Sequence, residues 1–172
     1  MQKNELFQKI FEDYLPNWEE IMKFLEEKGY FSAPASTKFH GNYEGGLFEH
    51  SMNVTLSLAE MTQKLDLKWE KERSPFVVGM FHDLCKMDEY KWSVEDSAYH
   101  HVDTLLTGHG EKSIIIASQF MTLTEEEIAC IRYHMGAFYQ ADIPTYSKAV
   151  NRYPNVLWTH TADMVASQIK GV

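Results

Sequence analysis

Cysteine is scarce in this chain: only Cys85 and Cys130 occur among 172 residues, and neither belongs to a CxxC pair. That scarcity argues against a disulfide framework or a thiolate zinc site and suits a reducing cytoplasm. Long apolar runs are missing as well. No stretch approaches the roughly 18 apolar residues of a membrane helix. The first residues, MQKNELFQKIFEDYL, carry acidic side chains where a signal peptide has its apolar core. The expectation is a soluble, cytoplasmic protein with no membrane partner. Positive charge is also short, with Lys+Arg 16 against Asp+Glu 25 and a formal net charge of -9. No overall field therefore draws the protein to long nucleic acid or anionic lipid. A small phosphorylated substrate would need local positive charge, most simply a bound metal. Internal repeats, low-complexity tracts and dividing linkers are absent too, so the 172 residues read as one domain.

What is present is helical periodicity. Leu6, Ile10 and Phe11, then Ile21, Phe24 and Leu25, recur at helical spacing on either side of Pro16. They predict helices over 4–14 and 16–28, with Pro16 near the first turn of the second. Between 29 and 46 the pattern breaks into a Gly/Pro/Ser-rich loop carrying His40 and Tyr43. A helix over 47–65 follows, with His50, Val54, Leu58 and Met61 along one stripe. Ser74 and Pro75 read as an N-cap and first helical position, opening a helix through 87. Residues 90–101 show no helical stripe and read as loop or short hairpin. A helix over 108–121 comes next. Thr124 with Glu127 forms a capping box for another that ends near 136. A loop over 137–146, a short helix over 147–152 and a last helix over 154–170 complete an all-α chain.

The chemistry-bearing residues fall in a few short runs. His82 and Asp83 directly follow the apolar run Val77–Phe81, which places the pair at the inner end of a buried helix. A carboxylate there is costly to bury unless something positive compensates it. A metal ion does so while using both side chains, since neutral imidazoles and carboxylates are the usual non-thiolate ligands for zinc, manganese, iron or cobalt. One His–Asp dipeptide carries little weight by itself. Others sit comparably on their own predicted helices: His50 one turn into a helix, His109 where a Gly-flanked loop becomes one, His134 at the end of one, and Asp163 inside the last, beside Met164 and Val165. Each alone is explained as a hydrogen-bonded core or boundary residue. Together, on separate helices, they can converge in a bundle core, which is how helical folds build metal sites.

The order His50, His82–Asp83, Asp163 resembles the H…HD…D signature of the HD superfamily of metal-dependent phosphohydrolases. The surrounding runs are similar too: GGLFEHS at 45–51 resembles the GGLxEHS opening of its exoribonuclease-like branch, and HDLCK at 82–86 resembles HDxGK. The runs GHGEKS at 108–113, IRYHMG at 131–136 and HTADMVAS at 160–167 resemble the later blocks of small HD proteins. The likeness extends from about Ser36 to Ser167. It implies an HD-type helical bundle as a single domain over 1–172, with 1–35 as an N-terminal helical extension and 36–170 as the core.

By the same resemblance, His50, His82, Asp83 and Asp163 match the ligands of a first divalent transition metal (Mn, Fe, Ni, Co or Zn). In members with two ions Asp83 would bridge to a second, held by His109 and His134. Lys86 matches the HDxGK lysine and would neutralise phosphate charge, making Asp83 and Lys86 the catalytic candidates. Lys112 and Arg132 are further phosphate candidates, His40 and Tyr43 are placed at the entrance, and Glu49 is read as orienting a ligand. Cys85 stands where the family pattern has Gly and is read as a small packing residue. His100, His101 and His160 are assigned no role, because nothing in their context separates ligand from surface residue. The activity implied is hydrolysis of a phosphodiester or phosphomonoester in a nucleotide or short oligonucleotide by metal-activated water. GGLFEHS favours the diester. The acidic charge and the lack of an attached OB-type RNA-binding domain argue against long RNA and keep a nucleotidase open. The alternative from another class is a metal-containing nucleotide sensor without turnover.

Overall fold

The structure, a computed structural model, describes residues 3–137 and 143–172. It is mostly helical: α1 (Lys3–Phe11), α2 (Trp18–Glu27), α3 (Gly46–Leu65), α4 (Ser74–Phe81), α5 (His109–Ala117), α6 (Glu125–Arg132), α7 (Ile143–Arg152) and α8 (Asn155–Met164). A 3-10 turn follows α4 at Leu84–Met87, and a π-helical segment follows α8 at Val165–Lys170. Among the described residues the strands are β1 (Tyr90–Ser93) and β2 (Ala98–His101), which pair antiparallel with Tyr90 opposite His101. The segment read as loop or hairpin is thus a hairpin. No helix among the described residues is long and apolar enough to cross a membrane.

Two apolar clusters fix the packing. The first joins Phe7 and Phe11 of α1 and Ile21 and Leu25 of α2 to Leu47 and Phe48 of α3 and Val77, Met80 and Phe81 of α4. Phe11 stacks on Phe81 with ring centroids 5.4 Å apart. Each such side chain, fully buried, contributes roughly 1.5–3 kcal/mol, enough in sum to hold α1 and α2 against the bundle. The second cluster lies on the other side of α3 and α4. There Val54, Leu58 and Val78 meet Cys130 and Ile131 of α6 and Val156 and Ala162 of α8. The α3–α4 pair is therefore sandwiched, and whatever sits at its end is shielded from both sides.

Several boundaries differ from the periodicity, each for a physical reason. Ser74 is the first helical residue of α4 and not its N-cap. Its hydroxyl donates to Glu127 Oε1 at 3.0 Å. Glu127 also receives Arg73 and closes the predicted capping box with Thr124, so one buried carboxylate ties the start of α4 to the start of α6. α4 stops at Phe81 instead of running to 87. Asp83 leaves the helical region at φ -112, and the next free amide, Cys85 N–H, donates to Ser113 Oγ of α5 at 3.1 Å in place of a helical carbonyl. α5 ends earlier than 121 and α6 earlier than 136. α7 begins at Ile143, so the loop expected over 137–146 is helix from 143 on, and its stretch 138–142 lies outside the described residues. The last helix widens to π geometry after Met164, where Ser167 Oγ donates to the carbonyl of Asp163 at 2.9 Å. Such bulges collect at functional sites, and apolar periodicity does not distinguish them from α-helix.

Two glycines set the approach of the elements that matter. A Cβ on Gly79 would lie 2.5 Å from Thr55 Cα and 2.8 Å from Thr55 N, so α4 touches the backbone of α3 there. A Cβ on Gly110 would lie 2.6 Å from the Arg132 carbonyl oxygen, bringing the start of α5 against the end of α6. For Gly79→Ala, helix propensity contributes about 1 kcal/mol of stabilisation, whereas overpacking against backbone costs about 1–3 kcal/mol. Backbone cannot move aside as a side chain can, so we expect a net loss of about 1–2 kcal/mol, read from urea unfolding. A variant as stable as wild type would mean that α3 and α4 are not locked at this point.

Candidate metal centre

The sandwiched end of α3 and α4 gathers the ionisable side chains. His50 comes from the first turns of α3, His82 and Asp83 from just past α4, His134 from just past α6 and Asp163 from the end of α8. All five are buried. His50 Nε2 lies 3.2 Å from His82 Nε2, 3.6 Å from Asp83 Oδ2 and 3.2 Å from Asp163 Oδ1. His82 Nε2 is 3.4 Å from Asp83 Oδ2, and His134 Nε2 is 3.3 Å from Asp83 Oδ1. His50, His82 and Asp83 form a group whose ligand atoms lie within 4.8 Å of one another, and so do Asp83, Cys85 and His109.

The far side of each imidazole decides what the near side can do. His50 Nδ1 lies 2.8 Å from the backbone oxygen of Val172, the last residue, His82 Nδ1 2.9 Å from the carbonyl oxygen of Gly79, and His134 Nδ1 2.8 Å from that of Ile131. A carbonyl only accepts, so in the tautomer assigned from this network each Nδ1 carries the proton and each Nε2 a lone pair. Those Nε2 lone pairs face one another and the carboxylate oxygens of Asp83 and Asp163. Asp83 Oδ1 and His134 Nε2 have no hydrogen-bond partner. Acceptors converging without donors are costly in a buried setting, and a cation is what satisfies all of them at once. Carbonyl-locked imidazoles with carboxylates are the ligand arrangement of a divalent transition metal, and the residues present fit one.

Electrostatics favour the coordinating form of Asp83, Asp163 and His82. Burial opposes the charge on Asp83, but Lys86, whose ammonium lies 2.6 Å from Oδ2, and then His82 hold the carboxyl well below the usual range. Burial likewise opposes ionisation of Asp163, and the neighbouring His50 outweighs it, holding this group at about 2. Burial lowers the pKa of His82 despite its neighbour Asp83, which favours the neutral ligand. His134 is raised, because Asp83 outweighs its burial. The Lys86 ammonium is held charged by Asp83 against its own burial.

Beside this cluster opens a cavity of about 750 Å³, with Asp83, Lys86, His40, His109, His160 and Asp163 in its wall and Phe39 at its edge. Both ring nitrogens of His40 lack a hydrogen-bond partner, and the ring packs 4.9 Å from that of His50. Burial and then the neighbouring His50 lower its pKa to about 4, so it is neutral near pH 7.

Other residues singled out in the sequence are not brought here. Lys112 is buried, but its ammonium goes to Asp88 at 2.5 Å, Thr104 Oγ1 at 2.9 Å and Glu89 Oε1 at 3.5 Å. Arg132 is spent on Glu111 at 2.6 Å and lies over the Tyr133 ring. Tyr43 is exposed and donates to Glu49 at 2.7 Å, so that pair orients itself and no histidine. The polar ends of Lys112, Arg132 and Tyr43, expected at the phosphate or the entrance, are held by these partners in the folded chain. His160, assigned no role, lies in the cavity wall with Nδ1 2.7 Å from the His134 carbonyl oxygen. Its position three residues before Asp163 on one helix face was the available signal. His100 pairs with Asp96 on the hairpin surface, and His101 is exposed.

No protein-family model matches the chain, and no solved structure matches it. Over 80 residues it is 35% identical to a dihydroneopterin 2′,3′-cyclic phosphate phosphodiesterase of Methanocaldococcus jannaschii. The match covers 45% of this chain and 32% of the relative, so the likeness reaches under a third of that enzyme's length. A set of buried histidines and aspartate that could hold a metal ion and a partial likeness to a phosphodiesterase thus meet in one chain.

Proposed function

We propose that this chain is a metal-dependent phosphohydrolase of the HD type, cleaving a phosphodiester or phosphomonoester of a nucleotide or short oligonucleotide. The observation that carries the reading is the convergence of the Nε2 atoms of His50, His82 and His134 on Asp83, beside a cavity of about 750 Å³. That volume suits a nucleotide-sized ligand. The Methanocaldococcus relative is a phosphodiesterase of a cyclic phosphate, which favours the diester for this chain, and the acidic surface favours a small substrate over long RNA.

In this reading His50, His82, Asp83 and Asp163 hold the ion. A bound divalent ion supplies a water of lowered pKa and polarises a phosphoryl oxygen. Lys86 keeps Asp83 ionised, so that its lone pairs remain available for coordination, and places a fixed positive charge in the cavity wall. His40, neutral and without a protein partner, has one N–H to offer a phosphoryl or leaving oxygen and one lone pair to accept. His160, tied to the His134 backbone, stiffens the wall behind the ligands.

Two measurements test this. Manganese, cobalt or zinc at a hundred times its Kd should stabilise the native state by about 2.7 kcal/mol, read as a rise in Tm. His50→Gln and Asp163→Asn should lose most of that rise, and no stabilisation by any of the three ions would remove the metal centre. The second is turnover of 2′,3′-cyclic nucleotides, a bis-aryl phosphodiester and nucleoside monophosphates with manganese supplied. Replacing Asp83 alone strands the buried Lys86 ammonium, a loss of about 3–5 kcal/mol in stability, so the clean variant replaces Asp83→Asn and Lys86→Met together. It should fold by circular dichroism yet lose at least about a hundredfold in turnover. Equal activity in wild type and variant overturns the assignment. Metal and nucleotide binding by a wild type that hydrolyses nothing on the panel would make the protein a sensor.

A further inference from the structure

The cavity beside the candidate centre has a second face that the metal ligands do not use. Asp83, Lys86, His40 and Asp163 make a polar wall, while Phe39, Met135 and Met164 line the same cavity with carbon and sulfur. These three side chains are 80%, 38% and 44% exposed. One exposed apolar side chain is ordinary, because a folded surface always keeps some. Three in the wall of one cavity form a patch, and apolar patches at cavities mark where the carbon of a ligand goes. Each is also the immediate sequence neighbour of a polar residue of the site: His40, His134 and Asp163 respectively. The backbone that positions the polar wall therefore positions the apolar one with it.

Phe39 stands apart from the other two, since its ring is left in water by a backbone that is firmly held. Its amide donates to Ser36 Oγ at 2.9 Å, and that hydroxyl donates in turn to the His40 carbonyl at 2.8 Å. Just outside, the Ala35 amide donates to the Gly41 carbonyl at 2.9 Å. Gly41 has φ +59, and a Cβ there would lie 2.6 Å from that of Ala35, so a glycine closes the turn. Ser36, at the centre of this arrangement, is buried. A closed turn that carries an exposed aromatic ring is a preorganised platform, because its backbone is ordered before any ligand arrives.

We propose that Phe39, with Met135 and Met164, is the stacking platform for a planar heteroaromatic ring, the base of a nucleotide whose phosphoryl group lies at Lys86 and His40. An aromatic face and polarizable thioethers hold such a ring by its π-surface. The polar wall has little to offer it: an uncharged base gains nothing from the Lys86 ammonium and gains most by leaving water against carbon and sulfur. The charged end of the same ligand has the opposite preference, so the two faces of the cavity orient it. The proposal rests on the phosphohydrolase reading for the phosphoryl end alone. The seat of the ring stands on the Phe39 turn and the two methionines.

Calorimetric titration of the full chain, with manganese supplied, tests this without recourse to activity. The probes are the 5′-phosphonates of adenosine and of ribose, whose P–C bond resists hydrolysis and which differ only in the ring. Wild type should bind the adenosine compound at least about tenfold more tightly than the ribose compound. Phe39→Ala changes an exposed side chain and leaves the backbone hydrogen bonds of the turn in place. It should weaken the adenosine compound about five- to a hundredfold and leave the ribose compound within about twofold. Phe39→Trp should restore the tight binding, and Met164→Ala should cost the adenosine compound about two- to tenfold. Equal affinity of wild type for the two compounds, binding of neither, or an equal loss of both in Phe39→Ala overturns the platform. A preference for adenosine that Phe39→Ala abolishes, in a protein that binds no metal and turns nothing over, keeps the platform and overturns the phosphohydrolase reading instead.

Discussion

At Gly79 the backbones of α3 and α4 come so close that a single added carbon has no room, and the chemistry depends on that approach. His50 enters the site from one helix and His82 from the other, and their Nε2 atoms lie 3.2 Å apart only because the helices touch. The apolar clusters on either side press the pair together. The break after Phe81 then turns Asp83 inward. Hydrophobic burial thus does the work of positioning, and the polar cluster is held in place by forces it does not itself supply.

Backbone carbonyls complete that positioning. Backbone oxygens of Val172, Gly79 and Ile131 each occupy the Nδ1 of one imidazole, so three rings are fixed in orientation, and those of His82 and His134 without an acidic second partner. The carbonyls of Gly79 and Ile131 carry no net charge, so Asp83, Asp163 and Lys86 supply the side-chain charge around His82 and His134. A carboxylate behind His82 or His134 would have made those imidazoles more basic and drawn protons to the atoms that face the cluster.

Most of the fold and the central cluster are legible in the sequence, for the same reason: both are written in the apolar pattern. His50, His82, Asp83, His134 and Asp163 stand out because ionisable residues interrupt helical apolar stripes, and the structure gathers those five. Lys112 and Arg132 stand out equally, but what a long cation does is decided by which carboxylate it can reach. Asp88, Glu89 and Glu111 are not visible as partners until the chain is folded. Cys85 and Glu89 fail in the opposite direction. Each looks unremarkable in its own segment, and only the 3-10 turn and the start of α5 turn them toward the Nδ1 of His109. The end of α4 at Phe81 escapes periodicity because a side chain 28 positions away, Ser113, takes the amide that would have continued it.

The Lys86 ammonium lodged on Asp83 has a consequence for the sign of the whole site. Among the acidic and basic side chains there, the carboxylates of Asp83 and Asp163 and the ammonium of Lys86 sum to a single negative charge. A divalent ion there turns it to a single positive charge, which one phosphodiester anion neutralises. A phosphomonoester dianion would overshoot and leave a negative charge in a setting where uncompensated charge is expensive. Without the lysine the same ligands and ion would be neutral and indifferent to either. On the proposed reading, one buried ammonium thus biases the centre toward the singly charged ester.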